Sequence, residues 1–350
     1  MKARKRGSIR PLEKNLFRIK AINMKNLSRL MLATTLAGVL FACKKSSDNN
    51  STAPMSNEDA ATQSDDQTRV SNESNAAFDD VTTSMNEQAT VTGSSEVSAP
   101  SGRYGVATMG ADTVKSSICD AIVTIDTSSA TRTLTINYTG KGCGFNRKRT
   151  GTVTITIPAG VHWRDKGAQV KVTFNLTITR ITDNKSIKLT GDHIYTNVTG
   201  GNVFSLTPSS QPIIHTVTSD NMAITFDNGT QRTWHVARQR TYTNLNGFAV
   251  ALSGTHTDGA TSGISEWGTN RFGNNFTTII NQPLTVQAGC GWQLTSGQFT
   301  LNNAAGSTSI TFGLDASGNA TGCPVAGSTY YFKLAYTSNQ NKTYTFILPY

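Results

Sequence analysis

From about residue 103 the chain alternates apolar and polar side chains with a period of two. Leu134, Ile136 and Tyr138 alternate with Thr133, Thr135 and Asn137, and Val153, Ile155 and Ile157 with Thr152, Thr154 and Thr156. Val170, Val172, Phe174, Leu176 and Ile178 make the longest clean run, and Tyr330-Phe332-Leu334-Tyr336 and Tyr344-Phe346-Leu348 repeat the pattern near the end. One apolar face and one Thr/Lys face describe antiparallel strands with one side in water. Asn228-Gly229 marks a two-residue hairpin, because both residues tolerate the positive φ of a type I′ turn. No stretch of 103–350 has a comparable helical period. The pattern predicts an all-β domain of some 12–16 strands, either a sandwich or an elongated antiparallel meander. The strands are interrupted at Thr199-Gly200-Gly201 and Pro208-Ser209-Ser210-Gln211-Pro212, so a subdomain boundary near 200–212 is an open alternative.

Residues 44–102 are different. They are rich in Ser, Asn, Asp, Thr and Gln, with little to bury, and read as a flexible tether. Within it Phe78, Val81 and Met85 fall on one face of a helix, which predicts a short amphipathic helix around 72–90 docked on the domain.

Composition supports β-structure. Thr accounts for 52 of the 350 residues, and its branched Cβ suits a pleated surface. The net charge of +10 has to be divided along the chain. Residues 1–42 carry ten Lys/Arg and one acid, so +9 of the total lies there. Residues 44–102 hold three Lys/Arg against ten acids, and 103–350 hold nineteen against eleven. The basic balance is therefore an N-terminal feature and not the mark of a nucleic-acid binder. An acidic tether and a mildly basic domain attract one another weakly, and salt screens the attraction.

Met24 opens a second plausible start, followed by Lys25, Arg29 and an apolar run from Leu30 to Phe41. Twelve residues match a secretory signal and are too short to span a bilayer. The run ends Leu40-Phe41-Ala42-Cys43, which resembles the lipobox of bacterial lipoproteins. That resemblance implies a signal peptide over 1–42 and acyl chains on Cys43. It places the mature protein at the outer membrane, facing the periplasm or the cell surface. Cys119, Cys143, Cys290 and Cys323 remain. An even number in an exported chain favours two disulfides, and local pairing joins Cys119 to Cys143 and Cys290 to Cys323.

Candidate chemistry is sparse. Glu266 is the one Glu of 103–350, and a paired-carboxylate glycan hydrolase needs a second acid, with Asp258 or Asp192 as candidates. No Gly-x-Ser-x-Gly elbow is present. The five His show no metal-ligand spacing, so neither a metal nor another cofactor is expected. Two basic clusters stand out: Arg147-Lys148-Arg149, and Arg232, Arg238 and Arg240 around Trp234. Arg232, Trp234, Arg238 and Arg240 share one strand face, so either a bulge turns the strand or an Arg–Trp stripe faces water. An exposed stripe would suit an anionic glycan or an acidic envelope protein, since Arg forks match phosphate and carboxylate.

The segments Ile224 to Trp234 and Gly268 to Arg271, with Pro283-Leu284 and Cys290-Gly291-Trp292, resemble a group of uncharacterised all-β lipoproteins common in Bacteroidota. The likeness implies an all-β envelope protein and transfers no functional residue. The expected function is a lipid-anchored binding, adhesion or structural module, with a glycan hydrolase or a scaffold subunit as alternatives.

Overall fold

The computed structural model describes residues 57–88, 91, 113–114, 116–143, 146–323 and 329–350. The expected signal peptide, the lipobox at Cys43, and residues 44–56, 89–90 and 92–102 of the expected tether lie outside them. A helix, α1 (Asn57–Glu87), precedes sixteen strands. These are β1 (Thr113–Val114), β2 (Ala121–Asp126), β3 (Arg132–Thr139), β4 (Arg147–Ile157), β5 (Ala168–Arg180), β6 (Ser186–Asn197), β7 (Ile213–Phe226) and β8 (Gln231–Thr243). They continue as β9 (Ala249–Gly254), β10 (His256–Asp258), β11 (Thr261–Thr269), β12 (Asn275–Gln287), β13 (Gln293–Asn303), β14 (Gly306–Leu314), β15 (Tyr331–Ser338) and β16 (Thr343–Pro349).

The strands form a single antiparallel sheet, a meander from β1 to β8 and again from β11 to β16. The expected all-β architecture is present in its meander form. Between β8 and β12 the sheet branches. β9 bridges the two strands at one end, pairing Arg240 with Leu252 and Leu252 with Leu284. β11 bridges them at the other, pairing Trp267 with His235 and with Thr277. Segment 200–212 connects β6 to β7, and those two strands pair directly on both sides of a bulge. Sheet hydrogen bonding therefore runs across the interruption.

Side-chain alternation decides which face is covered. On β5, Val170, Val172, Phe174, Leu176 and Ile178 are buried, while Lys171, Thr173 and Asn175 between them are exposed. The inner faces of β2 to β8 pack with α1 into one apolar cluster, and β9 and β12 to β15 form a second. Each Cys pair lies in a neighbouring stretch of this meander. Cys119 is joined to Cys143 and Cys290 to Cys323, with Cα–Cα distances of 6.0 and 5.2 Å, within the range a disulfide needs.

The helix differs most from expectation. It starts at Asn57, fifteen residues before the expected 72, and runs for 31 residues. Much of the acidic segment read as tether is thus part of the folded unit. Val70, Ala77, Phe78, Val81 and Met85 form its apolar stripe. Asp66, Thr68, Ser71, Ser74, Asp80, Thr82, Thr83 and Asn86 are buried as well, so the helix is enclosed on nearly every side. A helix this polar is not held by hydrophobic burial alone.

Curvature depends on glycine at a few places. Gly151 on β4 has φ +103°, and a Cβ added there would sit 2.2 Å from the carbonyl oxygen of Asn175 on β5. Gly151→Ala is therefore expected to cost about 2–3 kcal/mol through left-handed strain and the clash. A urea midpoint equal to that of the wild type would contradict it.

Candidate functional site

The Arg/Trp face of β8 is where α1 docks. Its parity is as expected, with Arg232, Trp234, Val236, Arg238 and Arg240 all on one face. That face is the inner one, and the five residues are 2%, 0%, 2%, 8% and 9% exposed. The expectation of a stripe in water is corrected: a third element, the acidic helix, covers it. Charge complementarity is the physical reason, because buried guanidinium groups require carboxylates or other acceptors.

The pairing follows the helix turn by turn. Asp65 meets Arg180 at 2.7 Å and Asp66 meets Arg271 at 2.5 Å. Glu73 meets Arg147 at 3.0 Å, Asp79 meets Arg240 at 2.5 Å and Asp80 meets Arg149 at 2.6 Å. Arg69 reverses the direction and donates from the helix to the carbonyls of Ile178 and Lys185. Of the cluster Arg147-Lys148-Arg149, the two arginines point inward to α1 and Lys148 is exposed.

Around β8 the contacts are denser. Arg238 pairs with Glu266 on β11, and Glu266 also accepts hydrogen bonds from Gln67 at 2.6 Å and Ser71 at 3.3 Å. Arg232 donates to Gln67 at 2.7 Å and stacks over Phe276 at 3.9 Å. Arg240 donates to Asn75 and lies 3.8 Å over Phe78. Burial draws the Arg232 and Arg238 guanidinium groups down to about 9, which leaves them charged at neutral pH.

A second knot ties the C-terminal half of the helix. Arg149 grips Asp120 with two hydrogen bonds of 2.8 and 2.7 Å and Asp80 with a third of 2.6 Å. Tyr138 donates to Asp80 at 2.8 Å, and Arg149 lies 4.4 Å over the Tyr138 ring. Burial opposes the charge on Arg149, but Asp80 and Asp120 hold its pKa well above the usual value. Asp120 follows Cys119, so the Cys119–Cys143 bridge fixes the turn that presents it.

A cavity of about 10 Å³ lies between Phe78, His193 and Arg238, space for roughly one water. Glu266 is 0% exposed and committed to Arg238 and the helix. Asp192 lies on the outer face with Lys171 and Thr173, and Asp258 is exposed on β10. The carboxylate pair expected of a hydrolase is not assembled. His193 packs against Phe174, Tyr195 and Trp234, and His215 against Trp163 and Tyr242. Burial, assisted by Arg238 and Arg240 respectively, pushes both imidazoles down to about 3. Among the described residues no three His, Cys, Asp or Glu are placed to hold a metal ion.

One half-buried aromatic group is assembled from three strands. On the outer face Trp267 is stacked between His256, at 4.0 Å, and His235, at 5.4 Å, with ring planes within 15°. Parity alone places Trp267 opposite to Glu266, but the three rings come from β8, β10 and β11 and meet only through the branch in the sheet.

Fold and site together define an all-β protein whose inner sheet face is closed by a polar helix. Comparison with protein-family models, curated proteins and solved structures finds no match to the chain.

Proposed function

We propose that the protein is a lipid-anchored cell-envelope module of binding or structural type, held at the outer membrane by acyl chains on Cys43. The observation that carries this reading is the use of cysteine. The four cysteines within the described residues are spent on two bridges, which suits an oxidising compartment. That leaves the fifth for the role its Leu40-Phe41-Ala42-Cys43 context predicts. The commitment of Glu266 to Arg238 favours a non-catalytic role over a glycan hydrolase. With the Arg/Trp face covered, a glycan or envelope partner would meet the outer surface, where the half-buried His235–Trp267–His256 stack is one aromatic group on offer.

Cys43→Ser is expected to abolish incorporation of a labelled fatty acid and to remove the protein from the detergent phase. No helix among the described residues is long and apolar enough to cross a membrane in its place. Thermal unfolding of the processed domain should be unchanged. Equal labelling of wild type and variant would overturn the anchor.

A further inference from the structure

We infer that the end of the sheet from which the N-terminus of α1 emerges is a membrane-facing surface that binds anionic lipid headgroups. The inference rests on the anchor reading for its orientation, but its chemistry stands on separate observations. Asp65 and Asp66, neighbours on α1, are held by Arg180 and Arg271. Those arginines begin the tips that join β5 to β6 and β11 to β12. The next residue of each tip is a large apolar side chain turned to solvent: Ile181, 49% exposed, and Phe272, 39% exposed. The two tips flank α1 at Asp65 and Asp66.

The same rim presents exposed lysines. Lys148, Lys185 and Lys188 are exposed around the β5–β6 tip. Carboxylates near this end are Asp65 and Asp183, both held by Arg180, Asp66, held by Arg271, Asp59 in the first turn of α1, and the exposed Asp227 on the β7–β8 turn. Lysines beside protruding apolar tips match an interfacial surface, where apolar groups enter the headgroup boundary and cations meet anionic lipid. Position agrees with chemistry. Thirteen residues, 44–56, separate Cys43 from Asn57, and a chain of that length spans at most about 45 Å. The anchor thus joins the domain at this end, while Trp163, hydrogen-bonded to Val91, lies beyond the far end of the 31-residue helix, about 46 Å along.

The test uses the chain from residue 43 with Cys43→Ser, which contains every described element and carries no lipid. It is floated with vesicles of phosphatidylcholine alone or with 30% phosphatidylglycerol, about 30 mol% being an anionic content at which each surface lysine contributes measurably. Binding is expected only to the anionic vesicles. Ile181→Asp with Phe272→Asp should lower it at least about tenfold. Lys148→Glu, Lys185→Glu and Lys188→Glu together should lower it further and remove the salt dependence. All five positions are exposed, so near-ultraviolet dichroism should stay unchanged. No flotation with anionic vesicles, or equal flotation by wild type and the Ile181/Phe272 variant, would overturn the inference. Neither result touches the anchor, which fatty-acid labelling of the wild type tests alone.

Discussion

Replacing Arg149 by Met is expected to lower stability by about 3–5 kcal/mol, because it leaves two carboxylates buried without a counter-charge. The Arg149 side chain is 4% exposed, and its partners Asp80 and Asp120 are 8% and 6% exposed. It satisfies three hydrogen bonds that join α1, the turn before β2, and β4. For a domain of this size the loss corresponds to a drop in Tm on the order of 10 °C. Arg180→Met is the internal comparison. Its pair with Asp65 is 27% and 40% exposed, so it should cost no more than about 1 kcal/mol. Adding Asp80→Asn and Asp120→Asn to Arg149→Met should recover most of the loss, since the penalty lies in the stranded charges. A calorimetric scan in which Arg149→Met and Arg180→Met shifted Tm equally would show that the ionic knot does not hold the helix.

Acid should unfold the protein well above the range where ordinary carboxylates titrate. His193 and His215 have folded-state pKa values near 3, against about 6.5 in the unfolded chain. A depressed value means the neutral form is the folded one. The contribution is present above pH 6.5 and is lost as pH falls from there toward 3. Well below pH 6.5 each imidazole removes about 1.4 kcal/mol per pH unit, so the pair removes about 3 kcal/mol between pH 6.5 and 5. Asp66 and Glu87, whose carboxyls burial raises above their ordinary range, bind protons earlier in the folded state and offset part of this loss. His193→Phe with His215→Phe keeps ring packing and removes the titration. Urea midpoints at pH 7 and pH 5 should fall steeply for wild type and shallowly for the double variant. Parallel falls would exclude the two histidines as the cause.

Alternation from Leu134 to Leu348 was enough to read an all-β chain, because a period of two follows from the pleat and needs no tertiary context. The Cys pairing was legible for a similar reason: in a meander, neighbours in sequence are neighbours in space. The parity of Arg232, Trp234, Arg238 and Arg240 was legible too. What covered that face was not. The segment 57–88 is polar, and its apolar stripe of Val70, Ala77, Phe78, Val81 and Met85 is thin. By local propensity it reads as a tether with at most a short helix.

Its order comes from ion-pair partners that lie 69 to 205 residues away in sequence, from Asp80 with Arg149 to Asp66 with Arg271. Opposite net charges on the two segments showed only that attraction was available; exposed in water it would have been weak. Enclosure by the curved sheet removed that screening and made each pairing obligatory. The sequence by itself therefore determined strands, faces and bridges, which are set by near neighbours. Only the tertiary structure decided that the basic face is an interior, because burial changes what a charge requires.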